Sequence, residues 1–165
     1  MNDFSPNEIS IRSVVSEDIP ALLEMIHELA EFEHLSDQVV ATEADYQESL
    51  FGESPAAEAL IAEKNSQPIG YAIFFSTFST FVGRAGIWLE DVYVRPDYRR
   101  HGIGRKLLKA VGEIASERNA GRYEWCVLDW NKNAIELYEK MGGEILEEWR
   151  IVRLGRDGIN ALKEK

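Results

Sequence analysis

Cysteine is nearly absent from this sequence, which has a single thiol, Cys126, among 165 residues. One cysteine excludes an internal disulfide and a metal site built from several thiolates. The three histidines stand apart with no ligand spacing between them, so we expect no bound metal. These scarcities favour a cytoplasmic protein that holds neither a disulfide nor a metal ion.

Long apolar runs are also missing, because no stretch approaches the roughly 20 residues that a membrane-spanning helix requires. The first ten residues, MNDFSPNEIS, lack a basic start followed by an apolar segment. We therefore expect no secretory signal and no membrane partner.

Positive charge is the third scarcity. The 18 Lys and Arg residues face 29 Asp and Glu residues, which gives a formal net charge of -11. Such a charge repels nucleic acid and anionic membranes and attracts polycations. We expect no nucleic-acid partner, and the composition leaves two explanations open, which are solubility and a cationic substrate.

The order of predicted elements is β-α-α-β-β-β-α-β-α-β, which is typical of a mixed α/β fold. The length fits one domain over residues 1–165. Predicted helices begin near Glu17 and Thr42 and cover residues 103–118 and about 134–141. The predicted strands cover residues 8–15, 59–64, 69–78, 86–94, 122–128 and 149–154.

A glycine turn joins a predicted strand to a predicted helix in RPDYRRHGIGRK (95–106). Helix N-termini bind phosphate, and glycines such as Gly102 and Gly104 let a ligand approach the backbone closely. The P-loop spacing is absent, and the dinucleotide fingerprint fails because Leu107 replaces its third glycine. The remaining pattern, Arg99-x-x-Gly102-x-Gly104, predicts either a phosphate site or a plain tight loop.

An acidic pair, Glu90 and Asp91, interrupts the apolar strand GIWLEDVYV (86–94). An unpaired buried carboxylate is costly, so at least one of the pair lines a cleft or meets an arginine. Regular alternation predicts that Asp91 shares a face with Leu89 and Ile87. An alkylammonium must lose a proton before it can act as a nucleophile, and a nearby carboxylate can accept that proton. Glu90 is the first choice for this role and Asp91 the second.

A third segment, LDWNKNAIELYEKMGG (128–143), predicts a short helix capped by Asn131 or Asn133. Its Tyr138 falls at helical spacing and could belong to a core. The pattern Trp-Asn-x-x-Ala-x-x-x-Tyr-x-x-x-Gly nevertheless closely resembles the C-terminal segment of GNAT acetyltransferases. The Arg-x-x-Gly-x-Gly pattern likewise resembles their pyrophosphate-binding segment, and the three segments follow one another in the order of that family.

The resemblance implies a GNAT fold, an α/β domain with a mixed, mostly antiparallel central sheet flanked by helices. It also implies an acetyl-CoA-binding core over about residues 86–143. Tyr138 would be the acid that protonates the leaving thiolate, and Glu90 would assist deprotonation of the amine. The implied acetyl-CoA site comprises Val92, Tyr93, Val94, Arg99, Arg100, His101, Gly102, Ile103, Gly104, Arg105, Asn131, Asn133, Ala134 and Tyr138.

The segments ELAEFEH (28–34), QVV (38–40), LFGE (50–53) and LEDVYV (89–94) resemble diamine and spermidine/spermine acetyltransferases and their thialysine-acetylating relatives. This resemblance implies a homodimer that acetylates a primary amine of a small polyamine or diamine-like acceptor. A thialysine-like amino acid or a protein lysine is the alternative acceptor. A non-catalytic acyl-CoA-binding module is the alternative class, and the presence of both Glu90 and Tyr138 argues against it. The implied acceptor-binding residues are Phe32, Glu33, Asp37, Glu90 and Asp91, with Phe32 standing where a Tyr is expected.

Overall fold

The computed structural model describes residues 8–164, with no side chain described at position 164. The first seven residues, which begin the segment where we expect no secretory signal, lie outside the described residues. The described residues divide into two compact units, one that ends at Cys126 and one that begins at Val127.

The first unit contains a five-stranded sheet in which the strands follow one another in chain order, β1-β2-β3-β4-β5. The first four strands pair antiparallel, and β5 pairs parallel to β4. The mixed, mostly antiparallel sheet that the sequence predicts is therefore confirmed. The strands are β1 (Ile9–Ser13), β2 (Glu58–Lys64), β3 (Gln67–Ser79), β4 (Arg84–Val94) and β5 (Tyr123–Trp125).

Three helices flank this sheet: α1 (Ile19–Phe32), α2 (Glu43–Phe51) and α3 (Ile103–Glu117). A one-turn helix over residues 16–18 precedes α1, which therefore begins two residues later than predicted. The predicted capping box of α2 is present, because Asp45 N donates to Thr42 Oγ1 at 3.3 Å and Thr42 N donates to Asp45 Oδ2 at 2.7 Å.

The two faces of the sheet are covered by different helices. On one face, Leu22 and Met25 of α1 pack in a single buried cluster with Tyr71, Ile73 and Tyr93 of the sheet. Helix α3 covers the opposite face with a buried stripe at helical spacing. The members of that stripe are Ile103, Leu107, Leu108, Val111 and Ala115.

A β-bulge interrupts the pairing of β4 with β3. Asp91 lies opposite Ile73, whereas Leu89 lies opposite the next residue, Phe74, so Glu90 is the extra residue. The bulge reverses the alternation of side chains on the part of β4 that precedes it. Asp91 therefore shares the α1 face with Trp88, and the predicted grouping of Asp91 with Leu89 is wrong.

The second unit contains two helices, α4 (Lys132–Lys140) and α5 (Arg156–Ala161). The strand predicted over residues 149–154 is wrong, because the backbone there belongs to no strand. Alternation alone does not make a strand, since the backbone also needs a partner to complete its hydrogen bonds. The apolar side chains of this stretch, Trp149, Ile151, Val152 and Leu154, are exposed.

Candidate active site

The two adjacent carboxylates of β4 have different environments. Glu90, at the bulge, is exposed, and Trp88 Nε1 donates a hydrogen bond of 3.0 Å to its Oε2. Asp91 is half-buried on the sheet face that α1 covers. The two carboxylates thus have opposite orientations, with Glu90 toward solvent and Asp91 toward the interior on the α1 face. A regular strand would also separate them, but it would direct Asp91 toward α3.

Burial, as the largest cause, and the nearby carboxylates of Glu90 and Glu33 together raise the pKa of Asp91 to about 6. The Tyr71 hydroxyl acts in the opposite direction on the same pKa. That hydroxyl oxygen is itself buried and makes no hydrogen bond of ordinary length. Asp91 therefore resists ionisation, and a cation bound beside it would stabilise its ionised form.

Glu33 reaches the same place from the end of α1. It caps that helix, and its backbone N–H donates to the carbonyl oxygen of Leu29 at 2.9 Å. Burial raises the pKa of its carboxyl as well. Two carboxylates that are distant in sequence thus lie close together, and the charge of Glu33 opposes the ionisation of Asp91.

Two tyrosines that the sequence analysis missed complete this arrangement. Burial and the charge of Asp91 raise the pKa of both the Tyr46 hydroxyl on α2 and the Tyr71 hydroxyl on β3. We call Glu33, Asp91, Tyr46 and Tyr71 the acidic cluster. The pairing of β3 with β4 could have indicated Tyr71, since it lies opposite Tyr93, two residues along from Asp91.

The other two predicted acceptor contacts lie elsewhere. Phe32, the last residue of α1, is partly exposed, and the central carbon of the Arg99 guanidinium lies 4.9 Å from the centroid of its ring. Asp37 is exposed in a one-turn helix over residues 36–38. Its role in binding an acceptor stays a prediction.

Replacing Asp91 by Asn should flatten the pH dependence of stability. The carboxyl pKa of Asp91 is raised by folding from 3.8 to about 6, so its contribution is complete at acid pH and is lost as the pH rises through about 6. Between about pH 5 and pH 8, the wild type should lose about 1 kcal/mol more than Asp91→Asn, because one pKa unit corresponds to about 1.4 kcal/mol. Urea unfolding at both pH values measures this difference. The exposed Glu17→Gln is the control, and equal pH slopes in Asp91→Asn and wild type would contradict a buried, protonation-prone Asp91.

The glycine turn is open at the start of α3. Gly102 is the N-cap of α3 and has a φ of 77°, a value that favours glycine, and a Cβ there would meet nothing within 4 Å. A Cβ on Gly104 would meet only Val94 Cγ2, at 3.9 Å. The first intrahelical bond of α3 runs from Lys106 N to Gly102 O at 3.0 Å, so the preceding amides have no acceptor within the helix. The open space and these amides fit a diphosphate group.

The four arginines around this turn divide into two pairs. Arg95 binds Glu24 at 2.6 Å and Glu28 at 3.1 Å, and Arg99 Nε donates to the carbonyl oxygen of Val94 at 2.8 Å. The side chains of Arg100, His101 and Arg105 are exposed. The exposed cations flank the N-terminus of α3, where they would add to its attraction for an anion.

The second half of β4 has one unpaired edge. Strand β5 pairs with β4 only at residues 87–89, so it ends before Val92, Tyr93 and Val94. On the other edge, these three residues pair with β3. An extended molecule could therefore add to the open edge by backbone hydrogen bonds, as a further strand does.

In the second unit, helix α4 is capped by Asn131, whose Oδ1 accepts a hydrogen bond from Ala134 N at 3.3 Å. Asn133 is exposed in the first turn of the helix. Tyr138 is buried, with 7% of its surface exposed, and its carbonyl oxygen accepts from Gly143 N at 2.9 Å. A buried tyrosine on a well-capped helix has a fixed orientation, which is what a proton donor requires.

Within residues 8–164, no three metal-binding side chains lie together. No helix in the same range combines the length and the apolar character needed to cross a membrane.

Comparison with known proteins identifies similar sequences and folds. The sequence model described as "Acetyltransferase (GNAT) family" matches residues 23–143. A thialysine N-epsilon-acetyltransferase of Sus scrofa is 38% identical over 168 residues, which cover 95% of this chain and 98% of that protein. A spermidine/spermine N(1)-acetyltransferase-like protein of Homo sapiens is 32% identical over 169 residues, covering 96% of this chain and 24% of that protein. An integron cassette protein from the mobile metagenome of V. cholerae has the same fold, with a TM-score of 0.79, 23% identity and coverage of 96% and 99% of the two chains.

Proposed function

The chain belongs to the acetyltransferase (GNAT) family, and we propose that its acceptor is a small aliphatic molecule with two amino groups, such as a diamine or polyamine. The prediction of an acetyl-CoA-dependent N-acetyltransferase acting on amines is confirmed by this membership. The alternative of a non-catalytic acyl-CoA-binding module is thereby set aside. We also propose that residues 1–165 act as one domain.

The proposed reaction is a direct attack of the acceptor amine on the thioester of acetyl-CoA. The amine nitrogen forms a bond to the carbonyl carbon, the bond from carbon to sulfur breaks, and the thiolate leaves. We assign Tyr138 to protonation of that thiolate. We assign Glu90 to removal of the amine proton, since its exposure lets it pass the proton to water, and the half-buried Asp91 to binding.

The acidic cluster is the observation that carries the choice of acceptor. Burial raises the pKa of both Glu33 and Asp91, the charge of Glu33 adds to the shift of Asp91, and no arginine or lysine lowers either pKa. An ammonium group beside them would relieve this repulsion. The buried Tyr71 hydroxyl, which makes no hydrogen bond of ordinary length to a described residue, can accept from the same ammonium. The site therefore favours an acceptor with a second cationic group beyond the reacting amine.

The effect of the second ammonium can be isolated with two acceptors of equal carbon number. Putrescine and n-butylamine have the same chain, but only putrescine has a second amino group. We expect kcat/KM for putrescine to exceed that for n-butylamine by at least about tenfold, equivalent to about 1.4 kcal/mol. In Glu33→Gln this ratio should fall toward one, chiefly through a higher KM for putrescine.

The exposed Glu17→Gln serves as the control for this experiment, because it removes one negative charge outside the acidic cluster. Raising the ionic strength should also raise the KM of putrescine more than that of n-butylamine, since salt screens the attraction. Equal kcat/KM values for the two acceptors in the wild type would contradict a cation-binding role for the cluster.

A thialysine-like amino acid is the second candidate acceptor. The 38% identity to a protein named for thialysine favours it, as does Phe32 in place of the expected Tyr. Thialysine also has two amino groups but adds a carboxylate, which the acidic cluster would repel. Spermidine and thialysine, measured beside putrescine, distinguish the two classes. A protein lysine stays a third possibility for the same panel.

The homodimer and the cytoplasmic location stay predictions that come from the resemblance and the composition. We propose the dimer because the family resemblance implies an acceptor groove shared by two subunits.

A further inference from the structure

We propose that Arg99 is a positioning residue that joins the acceptor-binding end of α1 to the acetyl-CoA turn, and that it does not bind phosphate. The inference rests on the proposed function, because it assigns the acceptor to the end of α1 and acetyl-CoA to the glycine turn. It revises the role that the motif Arg99-x-x-Gly102-x-Gly104 implies for the arginine.

Arg99 is held at the end of β4 by a backbone contact. It follows a one-turn helix, Pro96–Tyr98, and its Nε donates to the carbonyl oxygen of Val94 at 2.8 Å. This bond folds the side chain back over the strand that precedes the turn. The guanidinium plane is thereby fixed at the strand end, which also carries the open edge proposed for acetyl-CoA.

The guanidinium of Arg99 also contacts two aromatic rings. Its central carbon lies 4.9 Å from the ring centroid of Phe32 and 5.4 Å from that of Tyr93. Both distances are within the range of cation–π attraction. Phe32 is the last residue of α1, and the next residue is Glu33 of the acidic cluster. Arg99 therefore connects the glycine turn to the residue that adjoins an acceptor-binding carboxylate.

Neighbouring contacts reinforce the same connection between α1 and β4. Tyr93 donates from its hydroxyl to Glu28 Oε2 at 3.0 Å, and Arg95 binds Glu28 and Glu24. The side chain of Arg95 is largely buried, and Tyr93 is buried. The contacts of Tyr93 and Arg95 fix the middle of α1. Of these three side chains, Arg99 is the one that contacts Phe32, the last residue of α1.

A phosphate ligand at position 99 would have to displace a backbone contact. The side-on fork that grips a phosphate uses Nε together with one Nη, and the Nε–H of Arg99 already donates to the carbonyl oxygen of Val94. Arg100 is better placed for that role, because its side chain is exposed and its φ of 67° turns the backbone at the start of the glycine turn. The two adjacent arginines thus separate into a positioning residue and a candidate anion contact.

The decisive comparison is Arg99→Gln against Arg100→Gln, since both remove one positive charge from the same turn. For Arg99→Gln we expect the KM of the acceptor to rise about tenfold, while the Kd of CoA, measured by calorimetry without acceptor, changes less than about threefold. For Arg100→Gln we expect the reverse pattern, with a weaker CoA complex and a smaller dependence of its Kd on salt. A CoA Kd raised at least tenfold in Arg99→Gln, with the acceptor KM unchanged, would overturn the proposal.

Phe32→Leu tests the same contact from the other side, at an exposed position where folding is little at risk. It should raise the acceptor KM as Arg99→Gln does, and the double variant should lose no more than either single one. Additive losses would overturn the proposal. If the wild type acetylates no diamine, the proposed acceptor fails, but the CoA Kd values of the two arginine variants still decide whether Arg99 binds phosphate.

Discussion

Replacing Tyr138 by Phe is expected to lower kcat by about 10²–10⁴-fold, the usual contribution of a general acid, while the Kd of acetyl-CoA changes little. The hydroxyl is required when the negative charge develops on sulfur, so its loss affects the transition state more than the ground state. The phenyl ring keeps the volume of a side chain that is buried on α4, so the fold should be retained.

Single-turnover kinetics should be used to measure this effect, because product release can hide a change in the chemical step. Tyr123→Phe is the matched control, since it removes a tyrosine hydroxyl from β5, outside the proposed catalytic groups. A single-turnover rate equal to the wild type in Tyr138→Phe would leave Tyr138 as a packing residue.

Replacing Gly104 by Val should raise the Kd of CoA by about 100-fold or more, equivalent to at least about 2.7 kcal/mol. A side chain at this position has room within the protein, because its Cβ would meet only Val94 Cγ2 at 3.9 Å. It would instead fill the open space beside the first amides of α3, where we place the diphosphate. Gly102→Val should weaken binding too, but its positive φ adds backbone strain and makes the result harder to interpret.

Gly112→Val is the matched control for Gly104→Val. Both glycines lie in α3, and a Cβ on Gly112 would meet only Tyr123 Cε1 at 4.0 Å, so both substitutions have a similar effect on the helix. Calorimetric titration with CoA gives the Kd, and circular dichroism checks that the helix content is kept. An unchanged CoA affinity in both Gly104→Val and Gly102→Val would refute the assignment of the turn.

The features that short residue patterns predicted correctly are local, whereas the mixed sheet followed from the family resemblance. The capping box of Thr42 and Asp45, the cap at Asn131 and the Gly102 turn each depend on residues within a few positions of one another. Their chemistry is visible in the sequence because the donor, the acceptor and the required φ lie in the same short segment.

The features that the sequence did not predict depend on partners that are distant in the chain. Nothing in GIWLEDVYV indicates that Glu90 is an extra residue, because a bulge is defined only by its pairing with β3. The alternation of residues 149–154 is real, but no described strand pairs with them. Likewise, Tyr46 joins the acidic cluster from a separate helix, through packing that no sequence spacing specifies.

The bulge at Glu90 also sets how this segment can vary. A substitution at position 90 changes one exposed side chain and leaves the pairing of β4 with β3 in place. A deletion at the same position would remove the extra residue and restore regular pairing, with Leu89 still opposite Phe74, Asp91 still opposite Ile73, and the buried Leu89 and Ile87 still on the α3 face. A deletion would thus cost β4 its exposed carboxylate and the local bend of the bulge but not the packing of its buried side chains, so the bulge lets this strand change length by one residue without turning its core face outward.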